Sequence, residues 1–222
     1  MLPLYKKELR YLFSSPTAYL AIGVFWITTG LFLWIIPGEW NIIQTGYANV
    51  DGMFEILPWL LIMLCPALTM HLFVEERNTG NWDILLTKSL TINNIVCQKF
   101  FAVWTILLIA ILPLSFHFAI VANLAEPIGN VDYAQFIGSL FGSVLLSGTM
   151  IALCLLTASV AKNQIVAFIT GAITCFVFQW TVLYRFFASI ARGVIDMQDI
   201  VFFLSVITLC VLLTSGILNS NR

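Results

Sequence analysis

Charge is what this sequence has least of: 9% of its 222 residues are Asp, Glu, Lys or Arg, against about 25% in an ordinary soluble domain. A protein dissolved mainly in water is excluded on that ground alone. The net charge of −1, with no basic run, argues against nucleic acid as a partner. Cysteine is also sparse. Cys65, Cys154, Cys175 and Cys210 lie inside apolar runs and Cys97 lies in a segment read below as cytoplasmic, so neither structural disulfides nor a metal site are expected. They read as small apolar packing residues. The sequence has no G-x-x-x-x-G-K-[S/T] phosphate loop, and no nucleophile–base grouping suggests a catalytic centre. We therefore expect no enzymatic activity, resident cofactor or metal in the chain itself.

What the sequence has in abundance is apolar surface, 60% of all residues with a mean hydropathy of +0.98. Six runs are long enough to cross a bilayer, which takes about 20 residues. They are Thr17–Ile36, Phe54–Val74, Phe100–Asn123, Ala134–Ala161, Ile165–Tyr184 and Ile200–Leu218. The first is too long for the core of a cleavable signal peptide. Ser15-Pro16 is a helix-start signal, and Pro58 and Pro66 predict a bend in the second span. The fold class is thus an all-α polytopic membrane protein, a single transmembrane domain over residues 1–222.

Orientation follows from lysine and arginine, which resist translocation when they sit in short flanking loops. Lys6, Lys7, Arg10, Arg77, Lys88, Lys99, Lys162 and Arg222 fall on one side; only Arg185 and Arg192 fall on the other. The stretches Pro37–Met53 and Leu124–Tyr133 contain no basic residue but carry Glu39, Asp51, Glu126 and Asp132. Both termini are therefore expected in the cytoplasm.

Three features could carry function. Leu2, Tyr5, Leu9, Leu12 and Phe13 fall at helical spacing, with Lys6, Lys7 and Arg10 largely opposite, as in an interfacial helix (residues 2–13) whose cations meet anionic membrane lipids. The same charges also serve simply to fix topology. Between spans 2 and 3, residues 75–99 form a cytoplasmic segment in which Gly80 permits a turn, Asn81 can cap a short helix and Asp83 suits its positive end. Trp82, Leu85 and Leu86 then share one face. That face either docks into a soluble partner or packs on the protein's own helices and the bilayer. Lastly, Gly138 and Gly142 in span 4, with Ser139, Ser143 and Ser147, and Ala167 and Gly171 in span 5, are small-residue stripes that favour close helix packing. Ionisable residues inside the spans are few: His71, His117 and Glu55, all towards the interfaces. No chain of acids or histidines at mid-membrane suggests a proton-driven pump.

The run Lys6-Lys7-Glu8-Leu9-Arg10-Tyr11-Leu12-Phe13-Ser14-Ser15-Pro16 before a span resembles the start of ABC-2 type exporter permeases. Glu75-Glu76-Arg77-x-x-Gly80-x-x-Asp83-x-Leu85-Leu86-Thr87-Lys88 is similar to that family's E-E-(K/R)-x-x-G-T-(L/x)-E-x-L-L-T-x-P pattern, with Asn81, Trp82, Asp83 and Ser89 as departures. Asn163-Gln164-Ile165-Val166-Ala167-Phe168 and Arg192-Gly193-Val194-Ile195-Asp196 are similar to the GldF-type permeases associated with gliding motility in Bacteroidota. The resemblance implies a permease subunit in the bacterial inner membrane, with an N-terminal interfacial helix and a coupling helix seated in a separate ATPase. It implies that ATP is bound by that partner, a GldA-like ABC ATPase. Further implied partners are a GldG-like auxiliary membrane subunit and a second permease copy or permease-like chain. Glu75, Glu76, Arg77, Gly80, Trp82, Asp83, Leu85 and Leu86 would be the coupling residues, and residues 185–199 an outer re-entrant exit segment. The function implied is export or envelope remodelling driven by the ATPase. The alternative is a non-transporting scaffold of a motility or secretion complex.

Overall fold

A computed structural model describes residues 2–48, 50–80, 82, 91–183 and 196–220. Among these the chain is helical throughout, with no strand. The helices are α1 (Leu2–Ser14), α2 (Pro16–Gly30), α3 (Ile42–Thr45), α4 (Asp51–Thr69), α5 (Val74–Asn78), α6 (Ile92–Ile111), α7 (Leu114–Leu124), α8 (Tyr133–Val160), α9 (Gln164–Phe178) and α10 (Met197–Ser220). Single π-helical turns, Leu31–Ile35 and Gln179–Leu183, extend α2 and α9. Six helical stretches are long and apolar enough to cross a membrane: Pro16–Ile35, Asp51–Asn78, Ile92–Leu124, Tyr133–Val160, Gln164–Thr181 and Met197–Ser220. The protein is a multi-pass, all-α membrane protein of six spans.

Local chemistry explains four of the helix starts. Pro16 opens α2 at its first turn, where a missing N–H costs nothing. Thr91, Asp132 and Asn163 each accept a backbone N–H at the start of α6, α8 and α9. Spans 2 and 4 form the centre: 72% of the most apolar window of each is buried, against 22–33% for the other four. α8 touches α4, α6, α9 and α10. Its buried Gly138, Ser139, Gly142, Ser143, Ser147 and Gly148 keep it thin enough to do so. A Cβ at Gly148 would sit 3.2 Å from Ile207 Cδ1, and one at Gly171 3.3 Å from Pro66 Cβ. Ala167 is likewise buried. The small-residue surfaces at Gly148 and Gly171 are therefore used within the chain.

Two interruptions differ from expectation. α4 continues through Pro58 and Pro66, and the span breaks only at Met70–Phe73, before α5 resumes it. Span 3 begins at Ile92, eight residues before Phe100, so Lys99 lies within the helix rather than on a flank. It breaks at Leu112–Pro113, where the ring denies a backbone donor. Beside that break the Trp26 indole N–H donates to Ala110 O (2.8 Å), and further along Trp34 Nε1 donates to His117 Nδ1 (2.9 Å). Both bonds tie span 1, which also packs on α4, to span 3. At the same end Glu55 accepts from Trp40 Nε1 at 3.1 Å.

Of residues 75–99, the first four lie in α5 at the end of span 2 and the last eight open span 3; residues 81 and 83–90 lie outside the described residues. The bundle has two chemically distinct ends: a basic end with α1, α5 and the start of α6, and an acidic end with α3 and the 3–4 connection.

Candidate functional site: an ion cluster at the basic end

α1 lies along α6. Its buried stripe is Leu4, Glu8 and Leu12, with Tyr5 and Leu9 at the margins and Phe13 exposed. The face buried against the bundle includes Leu12 of the expected apolar stripe, and an acid, Glu8, sits at its centre. The reason is Lys99. Its side chain has no solvent exposure, and its ammonium donates to Glu8 Oε1 (3.1 Å) and to the Leu72 carbonyl (2.9 Å). It also contacts Glu76 Oε2 at 2.8 Å, an ion pair whose angles fall outside hydrogen bonding. The Phe73 ring lies 5.4 Å from the ammonium.

Lys7 closes the figure. It reaches Glu76 Oε1 at 3.0 Å and Glu8 Oε1 at 3.8 Å. Two cations and two carboxylates thus alternate, each in contact with both members of the opposite sign. In an apolar setting such closure is required, because a buried charge without partners costs several kcal/mol, on the order of 3–5. Burial by itself would lower the Lys7 pKa, but Glu76 and then Glu8 hold it above the usual lysine value. Tyr11 fastens the next turn of α1. Its hydroxyl donates to Glu75 and its ring packs on His71 at 5.4 Å between centroids. Burial first, and the Glu75 contact second, push the phenol up to about 12. A cavity of about 110 Å³ opens between Tyr11, His71 and Thr79.

At the other end of α1, Tyr5 donates its backbone N–H to Gln98 Oε1 (3.2 Å) and its hydroxyl to Thr105 Oγ1 (2.9 Å), whose own proton goes to Phe101 O. The Glu75-Glu76 pair therefore binds the N-terminal helix to the end of span 2, with Lys99 locking both to span 3. Lys6, Lys7 and Arg10 are all exposed, but the Lys7 ammonium is drawn to Glu76 and Glu8 at the edge of the cluster.

Beyond α5 the chain turns at Gly80, whose φ of +71° suits glycine at a helix C-terminus. Trp82 then folds back, half-buried against Phe73 (6.1 Å between rings), Leu4 and Ile95. Its indole is committed to the protein's own packing. Arg77 is half-buried on α5. Asp83, Leu85, Leu86 and Lys88 lie outside the described residues, as do Arg185, Arg192 and most of the expected exit segment; the described part, from Asp196, leads into α10.

The sequence reading singled out Glu75, Glu76, Arg77 and Lys7 but missed Glu8 and the burial of Lys99. One signal was available: Glu8 falls four residues from both Leu4 and Leu12, which puts an acid on an apolar helical face. The five cysteines are all free; four are buried in the core, with Cys154 Sγ 3.3 Å from Cys175 Sγ, and Cys97 is half-buried. No group of three or more metal-ligating side chains converges among the described residues. In the cluster three separate segments share one set of charges.

Fold and site together define a six-span helical membrane protein with an ion-locked junction at its basic end. Comparison of the sequence with protein-family models and with curated proteins gave no match.

Proposed function

We propose that this chain is the transmembrane permease subunit of an ABC-2 type exporter, driven by a separate ATPase and serving export or envelope remodelling in gliding motility. The observation that carries the reading is the junction. The Glu75-Glu76 pair of the motif that resembles the family pattern is bonded to the N-terminal helix and to Lys99 of span 3. Force applied just beyond Gly80 would pass into three elements at once. The asymmetry of lysine and arginine supports a cytoplasmic location for this end, with both termini inside and the bilayer being the bacterial inner membrane. Lys6 and Arg10 are free to meet anionic headgroups.

In this reading Trp82 anchors the root of the coupling segment, and Leu85 and Leu86 supply the surface offered to the ATPase. The double substitution Leu85→Asp/Leu86→Asp is expected to abolish co-purification with a co-expressed ABC ATPase from the same host, while the chain still inserts in the membrane. Undiminished co-purification would refute the assignment. In the intact complex, ATP-dependent solute flux marks a transporter, and nucleotide-driven rearrangement of a partner without flux marks a scaffold.

A further inference from the structure

Two cavities larger than the one beside the ion cluster lie at the opposite, acidic end. Two adjoining recesses of about 270 and 710 Å³ share Ala48, Val121 and Asn130 in their walls. Together they span the size range of small-molecule sites, about 300–1,000 Å³. The inner recess is floored by an aromatic cluster: Phe118 stacks on Phe136 with centroids 4.0 Å apart and planes at 15°, and Phe54 lies 5.9 Å from Phe136. The outer recess is walled by Trp34 and by Tyr47, which is 74% exposed.

Among the described residues, every side chain of these walls that is charged at neutral pH is a carboxylate. Asp51 and Asp132 border the inner one and Glu126 the outer. Gln135 orients the first two, donating its side-chain amide to Asp51 Oδ1 (2.6 Å) and its backbone N–H to Asp132 Oδ1 (3.0 Å). Among the described residues neither lysine nor arginine lines either recess, and none occurs in residues 37–53 or 124–133. Aromatic faces are themselves electronegative and attract cations, so walls and carboxylates favour the same sign of ligand. A small hard metal ion would need converging oxygens, and no such group is present among the described residues. An anion would be repelled, and a neutral apolar molecule would gain nothing from the carboxylates.

We propose that this aromatic-walled acidic recess is a binding site for an amphipathic organic cation, its apolar body against Phe118 and Phe136 and its charge facing Asp51 and Asp132. The site lies at the far end from the ion cluster, and its occupancy does not depend on the exporter assignment. The test uses the full chain in lipid nanodiscs, with empty discs subtracted. Tetraphenylphosphonium is compared with neutral triphenylphosphine oxide and anionic tetraphenylborate by equilibrium dialysis. The cation is expected to bind saturably and at least about tenfold more tightly than the other two. Asp51→Asn/Asp132→Asn, which retains a helix-capping side chain at 132, is expected to weaken the cation about tenfold and leave the neutral probe unchanged. Equal binding of the three probes, or undiminished cation binding in the double variant, would overturn the proposal. Asp51→Asn alone, which keeps an acceptor oxygen for Gln135, carries the same test if the double variant does not fold: a several-fold loss supports the site and no loss overturns it.

Discussion

A lysine without solvent contact inside an apolar bundle must be neutralised by its neighbours, and Lys99 draws them from two distant stretches of chain. Lys99→Met leaves Glu8 buried with only the longer Lys7 contact, so a loss of about 3–5 kcal/mol in unfolding free energy is expected in mixed micelles. Adding Glu8→Leu should restore more than half of that loss, because the uncompensated carboxylate goes with its partner. A cost below about 1 kcal/mol with additive singles would show that the cluster is not the closed unit described here. Sequence reasoning set Lys99 on a flank because charges near a span usually are flanking. Nothing local to residue 99 reveals partners at residues 8 and 76. The Glu75-Glu76 pair was visible as a motif, but its bonds to α1 were not.

Among the elements, legibility followed the range of the interactions involved. Pro16 and Asn163 mark helix starts through contacts within a few residues; the first start was read from Ser15-Pro16, and the cap at Asn163 was not. The Gly/Ser stripe of α8 also announced a crowded helix, since only small residues allow four neighbours to approach. The register of α1 was not readable, because it is set by Glu8 meeting Lys99 rather than by the apolar residues alone. Nor was the break at Met70–Phe73, which falls where Lys99 takes the Leu72 carbonyl and not at either proline of α4. A test at this scale concerns the entry to span 2. A Cβ on Gly52 would lie 2.8 Å from Trp40 Cα and 2.9 Å from its carbonyl oxygen, so backbone would have to move. Gly52→Ala is expected to cost about 1–3 kcal/mol, read as a lower melting temperature of the purified protein. Gly23→Ala, where no atom lies within 4 Å of the added methyl, should be neutral or slightly stabilising. Equal melting temperatures for the two variants would contradict the close approach.

At the scale of the whole molecule, the two ends divide the work. The basic end holds the interlocked α1, α5 and α6, and the acidic end holds the open recesses and the Trp40–Glu55 and Gln135–Asp51 contacts. Six spans were countable from hydropathy because each needs about 20 apolar residues whatever its packing. Which spans are central was less legible, since lipid-facing and protein-facing surfaces are both apolar. Everything proposed for the basic end depends on its facing the ATP-containing compartment. Reporter fusions test that most directly: alkaline phosphatase joined after Asn130 should be active, and the same enzyme joined after Ser220 should be silent. Activity at Ser220 with silence at Asn130 would place the ion-locked junction outside the cell and contradict the account.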